Sequence, residues 1–190
     1  MMHYSKTCEA FEPNPVCVRF LQRAYPSLSV HPVALSDRTG VANLEVPLRN
    51  GIAQEAEGRL GQHSYLSDQL GKIISSVETR TLDSYDFSDI SLIKIDTEGH
   101  ELSVIAGALT TLKRCTPRIV VECEERHRVA ALATVMEVLV PLRYHAFART
   151  ERRNYKMFAT ATQGYGLSTS SNFLFLPSTD SLLQMCRIFS

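Results

Sequence analysis

The 190-residue chain has no tryptophan, no excess charge of either sign and no closely spaced cysteine pair. Its 20 lysines and arginines cancel its 20 aspartates and glutamates. A neutral chain has no electrostatic attraction to nucleic acid or to an anionic membrane, so neither is expected as a partner. The five cysteines are scattered and form no CxxC motif, which favours a reducing, cytoplasmic location over a disulfide framework.

Long hydrophobic runs are also absent. The most apolar helix-like stretch, residues 129–142, is interrupted by Glu137 and Pro141, and the N-terminus carries no apolar signal core. The composition is that of a globular protein, with 44% hydrophobic and 21% charged residues. No repeat, low-complexity tract or linker divides residues 1–190, so a single domain is expected.

Short β-like runs alternate with amphipathic helical runs, which predicts an α/β fold with a largely parallel sheet. An Asn14-Pro15 pair, the favoured order for a helix start, predicts a helix that ends before Pro26. Further strands are expected at 7–11, 29–35, 42–46, 74–82, 92–95 and 119–122, and further helices at 102–112 and 125–139. Residues 51–71 lack a clear period, and the runs at 144–148, 156–162 and 173–176 predict antiparallel strands.

Three acidic residues mark the carboxyl ends of expected strands: Glu12 and Asp96 directly follow theirs, and Glu122 is the last residue of its strand. In doubly wound sheets, ligands bind beyond the carboxyl ends of the parallel strands. Glu12 has the position at which nucleotide-binding α/β folds hold ribose hydroxyls, and a carboxylate can accept both hydrogen bonds of a vicinal diol. Each carboxylate alone could equally be a helix cap or a solvated loop residue.

The densest polar cluster, DTEGHE at residues 96–101, follows the most apolar strand. One interpretation is a capped helix start, with Asp96 as the cap and Glu98 stabilised by the helix dipole. The other is that Asp96, Glu98 and Glu101 gather at one edge of the sheet. There they would act as a general base or as ligands of a hard cation. The sequence leaves both interpretations open.

Several segments between residues 7 and 124 together carry a family resemblance. They are AFEPNP at 10–15, ALSD at 34–37 with Gly40, TLD at 81–83, IKIDTEGHE at 93–101, and finally Pro117 and Glu122. In this order and spacing they resemble the FkbM family of S-adenosylmethionine-dependent methyltransferases, and IKIDTEGHE is the most specific of them. The resemblance implies a Rossmann-like class I methyltransferase sheet, mostly parallel with antiparallel C-terminal strands. It also implies S-adenosylmethionine as cofactor and a hydroxyl of a small molecule or glycan as acceptor.

The same resemblance implies roles for individual residues. Glu12 would bind the cofactor ribose, Ala34 and Leu35 would line the adenine side, and Asp96 would lie beside the methionine end and the transferred methyl. Glu98 would belong to the acceptor side, so Asp96 and Glu98 are the candidate catalytic residues. No metal ligand is expected, because no histidine pair has helical metal-binding spacing.

One family feature is missing from residues 1–11, namely a strand followed by a glycine-rich turn that holds the amino-acid end of the cofactor. The GxG at 164–166 lies far downstream. The expectation is therefore a family member truncated at its N-terminus, without the first strand and its turn. Two alternatives remain at this stage. One is a non-catalytic truncated fragment or binding module of the same fold, and the other is a nicotinamide-dependent oxidoreductase in which Glu12 holds a ribose.

Overall fold

The computed structural model describes residues 7–60, 71–124 and 130–186. It has a mixed α/β fold, and the chain divides into two compact units, Met1–Thr81 and Leu82–Ser190. The single domain expected from the sequence remains a prediction, and each unit is described by itself. Within the described ranges, no helix is both long and apolar enough to cross a membrane.

The first unit opens with two parallel strands joined by a helix. These elements are β1 (Glu9–Phe11), α1 (Pro15–Ala24) and β2 (Ser29–His31). The helix starts as the sequence predicts, because the Asn14 side chain accepts the N–H of Val16 and Pro15 occupies the first turn. Val18 of this helix is buried, whereas Phe20 is 66% exposed.

A second sheet completes this unit. It contains β3 (Ala34–Leu35), β4 (Gly40–Arg49), β5 (Ile52–Ala53), β6 (Arg59–Leu60) and β7 (Lys72–Arg80), in the order β3-β7-β4-β5 with β6 also on β4. A 3-10 turn covers Glu55–Glu57, so part of the stretch expected to be irregular is ordered, while residues 61–70 lie outside the described ranges. The strand expected at 29–35 is two strands, because β2 pairs with β1 whereas β3 pairs with β7.

The second unit holds a five-stranded sheet with helices. Its elements are β8 (Leu92–Ile95), α2 (Glu101–Ala106), α3 (Leu109–Cys115), β9 (Arg118–Glu122), α4 (Ala131–Leu139), β10 (Tyr144–Arg149), β11 (Tyr155–Phe158), α5 (Ala161–Leu167), β12 (Asn172–Pro177) and α6 (Ser181–Cys186). The strand order is β11-β10-β12-β9-β8. Fully buried side chains of β9, β12 and α4 form its core, among them Ile119, Val121, Leu132, Phe173 and Phe175.

Strand pairing confirms one part of the expected topology and corrects another. The strands β10, β11 and β12 are antiparallel as predicted, and β8 and β9 are parallel. Within the described ranges, however, antiparallel ladders outnumber parallel ones, so the expectation of a mostly parallel sheet is wrong there. The longest antiparallel ladder joins β4 and β7, from Gly40 opposite Thr79 to Pro47 opposite Lys72.

One helix and one strand differ from the sequence prediction. The helix expected at 102–112 breaks at Gly107, whose carbonyl accepts the N–H of Asp83 at 3.0 Å. The Asp83 carboxylate in turn accepts the N–H groups of Thr110 and Thr111, so it caps α3 from a distant part of the chain. The strand expected at 156–162 ends at Phe158, and α5 follows.

Candidate functional site

In the first unit, Glu12 lies directly after the carboxyl end of β1, as the sequence predicted. Its backbone N–H donates to the carbonyl of His31 at 3.0 Å, and its Oε1 accepts the N–H of Asn14 at 2.7 Å. Burial raises the pKa of the Glu12 carboxyl, and the hydrogen bond from Asn14 offsets only part of this rise. No second hydrogen bond reaches the carboxylate from the residues that the structure describes, so acceptor capacity is left for a ligand.

Asn14 does more than cap the helix. Its side chain is buried, and its amide donates to the Glu55 carbonyl at 3.1 Å and to Glu55 Oε2 at 2.7 Å. The same side chain accepts the N–H of Val16 at 2.9 Å. Asn14 therefore connects the start of α1 to the 3-10 turn. These contacts fix the position of its own backbone N–H, which donates to Glu12. Sequence reasoning found the cap but missed Glu55, since nothing in the local pattern indicates this contact.

Ala34 and Leu35 form β3, which pairs with β7 through Ala34 opposite Thr79 and Leu35 opposite Arg80. Ala34 is buried in a small core cluster with Leu44, Val46 and Val77, whereas Leu35 is only half-buried. Of the two, Leu35 has the more accessible side chain for contact with a flat apolar group. The adenine-side role of both residues stays a prediction.

In the second unit, Asp96 and Glu122 end two neighbouring strands. Ile95 of β8 lies opposite Val121 of β9 in a parallel ladder, so the two acidic residues that follow lie next to each other at one edge of the sheet. Lys94 Nζ lies 3.2 Å from Asp96 Oδ2 and 3.6 Å from Glu122 Oε2. Sequence reasoning named both carboxylates but missed Lys94. Its spacing of two residues from Asp96, which puts both side chains on one face of the strand, was an available signal.

The carboxyl of Glu122 has an unusual pKa, raised to about 7. The largest cause is a hydrogen bond to Asp96, followed by burial and by the negative charge of Asp96, while Lys94 acts in the opposite direction. The side chains of Glu122, Lys94 and Asp96 are 27%, 31% and 46% exposed, so a ligand can reach them. A strongly perturbed carboxyl beside a second carboxylate at a strand end marks this cluster as the strongest functional candidate in the second unit.

The loop after β8 decides between the two interpretations of the DTEGHE segment. The helix α2 begins at Glu101 with His100 as its N-cap residue, and the His100 side chain makes no capping hydrogen bond. Asp96 pairs instead with Lys94 and Glu122. The interpretation of Asp96 as a helix cap is therefore wrong, and its catalytic role stays a prediction.

Glu101 has a different role from the one considered on sequence grounds. It is buried, and its Oε1 accepts the backbone N–H of Thr97, the hydroxyl of Thr97 and the N–H of Gly99 at 3.2, 3.2 and 2.9 Å. Glu101 therefore organises the loop from inside and does not join Asp96 and Glu98 as a third carboxylate at the sheet edge. In the ranges that the structure describes, no three acidic, histidine or cysteine side chains form a group able to hold a metal ion.

Glu98 lies in that loop with left-handed backbone, at φ 53°, and Gly99 follows at φ 99°. Left-handed backbone is uncommon for a residue with a β-carbon, so the Glu101 hydrogen bonds on both sides are needed to hold it. The Glu98 side chain is half-buried. Its assignment to the acceptor side stays a prediction.

A hollow of about 450 Å³ lies just beyond the carboxyl end of β9 in the second unit. Five of its lining residues carry a hydroxyl group and one carries a carboxylate; the lining comprises Cys123, Glu124, Tyr165, Ser168, Thr169, Ser170 and Ser171. Glu124 Oε1 accepts the hydroxyl of Ser171 at 2.9 Å, and the Tyr165 hydroxyl donates to the Cys123 carbonyl at 3.4 Å. Glu122 of the carboxylate pair directly precedes the lining residue Cys123 in the chain.

Comparison with known proteins points to one family. The family model described as "Methyltransferase FkbM domain" matches residues 2–157. A solved structure, methyltransferase FkbM from Methylobacillus flagellatus KT, aligns with 90% of this chain at a TM-score of 0.51 and 14% identity, which shows similarity of fold. This chain spans 36% of the length of that structure. Comparison with curated proteins gives no match.

Proposed function

The chain belongs to the FkbM methyltransferase domain family, and we propose that it transfers a methyl group from S-adenosylmethionine to a hydroxyl oxygen of a small molecule or glycan. The family match over residues 2–157 supports methyl transfer in general. The observation that carries the finer proposal is the Asp96–Glu122 carboxylate pair at the carboxyl ends of β8 and β9. A cytoplasmic location and a Rossmann-like sheet order belong to the same proposal.

The residues of the first unit fit part of the cofactor. When bound, S-adenosylmethionine supplies a methyl group on a positively charged sulfur. Glu12 would hold the ribose, because its half-buried carboxylate has one internal hydrogen bond and room to accept others. Ala34 and Leu35 would line the adenine side. The described residues offer no glycine-rich turn for the amino-acid end, since Gly164 and Gly166 lie within α5.

The residues of the second unit fit the chemistry of methyl transfer. The reaction is a displacement at carbon, so its rate depends chiefly on how the acceptor oxygen and the donor sulfur are aligned. Asp96 would lie beside the transferred methyl, and Glu98 would contact the acceptor. A carboxylate in this position also suits removal of the acceptor proton.

The hollow next to Glu122 supports a hydroxyl-bearing acceptor. Its lining offers both donors and acceptors, from Tyr165, the serine-threonine segment 168–171 and the carboxylate of Glu124. Groups of this kind form hydrogen bonds with alcohols and sugars, which carry a donor and an acceptor on every hydroxyl.

Calorimetry with S-adenosylhomocysteine and with NAD tests the proposal and separates it from its alternatives. We expect the chain to bind S-adenosylhomocysteine and not NAD. Glu12→Gln should weaken binding by about 1 to 3 kcal/mol, or about 5- to 150-fold, because a charged acceptor becomes a neutral amide. Glu78→Gln, an exposed glutamate of the same unit, should leave the affinity unchanged.

The two alternatives give different results in the same experiment. Binding of neither compound would favour a non-catalytic module of the same fold, and binding of NAD alone would favour an oxidoreductase. Binding of S-adenosylhomocysteine that does not change in Glu12→Gln would remove Glu12 from the proposed ribose site while keeping the cofactor.

A further inference from the structure

The two carboxylates at the edge of the second unit share a single cation. Lys94 Nζ contacts both Asp96 Oδ2 at 3.2 Å and Glu122 Oε2 at 3.6 Å, and it also donates to the Ile95 carbonyl at 3.4 Å. Three contacts hold the ammonium group at the base of the pair. With both carboxylates ionised, Asp96, Glu122 and Lys94 carry a net charge of −1. This excess negative charge favours the binding of one proton by a carboxylate of the pair.

We propose that Glu122 is a further catalytic residue, which takes the proton of the acceptor hydroxyl. Asp96 orients the Glu122 carboxyl, and Lys94 is a positioning residue for both carboxylates. This inference rests on the proposed function, since it requires a hydroxyl acceptor and a sulfonium methyl donor. The geometry favours Glu122 over Glu101, whose carboxylate is occupied by three donors of its own loop. Glu122 also comes directly before Cys123 and Glu124, which line the hollow, and the negative charge of Glu124 acts on its carboxyl.

The proposed step couples transfer of the methyl group to transfer of the hydroxyl proton. The acceptor oxygen forms a bond to the methyl carbon while the carbon–sulfur bond breaks, and the electron pair of that bond stays on the sulfur. The hydroxyl proton moves to the carboxylate of Glu122, where a hydrogen bond to Asp96 stabilises the protonated form. Exchange with water then returns the proton to solvent, because the Glu122 side chain is 27% exposed.

Among the residues that the structure describes, the charged groups that act on Glu122 come from the end of β8 and from the residues after β9. Asp96 and Lys94 belong to the β8 side, Glu124 follows β9, and Asn172 of β12 lies opposite Glu122 in the antiparallel register without a charge. Asp96, burial and Glu124 raise the pKa of Glu122 to about 7, against the effect of Lys94. A carboxylate with a pKa near 7 is largely ionised at neutral pH and still has enough affinity for the proton of the acceptor. These are the properties that a general base needs.

Titration of glutamate side-chain carboxyls by ¹³C NMR tests the pair without any substrate. In the wild-type chain, one glutamate carboxyl should titrate near pH 7, as expected for Glu122. Glu122→Gln should remove this signal, Asp96→Asn should move its midpoint towards the ordinary glutamate value, and Lys94→Met should move it upward. Glu137→Gln, an exposed residue of α4, is the matched control and should leave it in place. The absence of any carboxyl that titrates well above the ordinary range would overturn the proposal.

Transfer of labelled methyl from S-adenosylmethionine to methyl glucoside and to glycerol tests the catalytic role. The wild-type kcat should rise with pH through the midpoint seen by NMR. Glu122→Gln should lower kcat by about 100-fold or more and abolish this rise, while S-adenosylhomocysteine affinity stays within about twofold. A Glu122→Gln variant with wild-type kcat and pH profile would overturn the role of Glu122 alone. If the wild-type chain does not bind S-adenosylhomocysteine, or binds it without transferring methyl to either acceptor, the proposed function fails and the role of Glu122 fails with it.

Discussion

The side-chain amide of Asn14 donates to both the carbonyl and the carboxylate of Glu55, 41 positions later, at 3.1 and 2.7 Å. Through this contact the 3-10 turn is joined to the N-terminus of α1. The backbone N–H of Asn14 meanwhile donates to Glu12, the proposed ribose ligand. A residue that looks like a simple helix cap thus organises the surroundings of Glu12.

Replacing Asn14 should therefore cost more than removing an ordinary cap. We expect Asn14→Ala to lower the free energy of unfolding by about 1 to 3 kcal/mol, because it removes the cap and takes a hydrogen-bond donor away from the carbonyl and the carboxylate of the half-buried Glu55. Thr160→Ala removes the exposed cap of α5 and should cost at most about 1 kcal/mol. Urea unfolding followed by circular dichroism measures both, and equal losses would mean that the contact with Glu55 contributes nothing.

Glu98 provides a substitution for which stability and activity should change in opposite directions. Its φ of 53° suits glycine, so Glu98→Gly should leave stability unchanged or raise it by up to about 1 kcal/mol. Methyl transfer should fall in the same variant if the carboxylate contacts the acceptor. The thermal midpoint and the kcat/KM, measured on one preparation, check both parts. A variant with wild-type kcat/KM would contradict the acceptor-side role.

The Asp83 cap predicts a pH-dependent contribution to stability. Burial raises the pKa of this carboxyl, but the hydrogen bonds from Thr111 and Thr110 outweigh it and lower the pKa overall. A carboxyl with a lowered folded-state pKa stabilises the protein above its unfolded pKa of about 4, and this stabilisation is lost as the pH falls through the folded value. Asp83→Ala should therefore cost about 0.5 to 2 kcal/mol at pH 7 and progressively less below about pH 4. The exposed Asp89→Ala is the control for urea unfolding across this range, and a cost for Asp83→Ala that does not change with pH would show that the carboxylate charge is not involved.

The two glycines of α5 form a matched pair. A β-carbon at Gly164 would lie 2.7 Å from Phe158 and 2.8 Å from Leu132, whereas one at Gly166 would have nothing within 4 Å. Gly164→Ala should destabilise the protein by about 1 to 3 kcal/mol through overpacking. Gly166→Ala should be neutral or stabilise it by up to about 1 kcal/mol, because alanine favours the helix. Differential scanning calorimetry of both variants tests this, and equal midpoints would mean that the contact of α5 with Phe158 is loose.

Local patterns in the sequence determined a good part of this protein. The start of α1 at Asn14 and Pro15, the apolar strand β8 and the acidic residues at the carboxyl ends of β1, β8 and β9 were all predicted. Each of these depends on neighbours within a few positions, where capping, backbone preference and apolar spacing act directly. The antiparallel C-terminal strands were predicted as well.

Only the tertiary structure decided which strands pair and where the polar side chains find partners. The sequence could not show that Asp83 caps α3 or that the Glu101 carboxylate accepts hydrogen bonds from the loop before it. It also could not show that Lys94 contacts both Asp96 and Glu122. It also left Asp96 undecided between a cap and an exposed edge residue. The physical reason is the same in each case. These hydrogen bonds and ion pairs join groups through the packing of separate segments, and their energies depend on distances that no local pattern specifies.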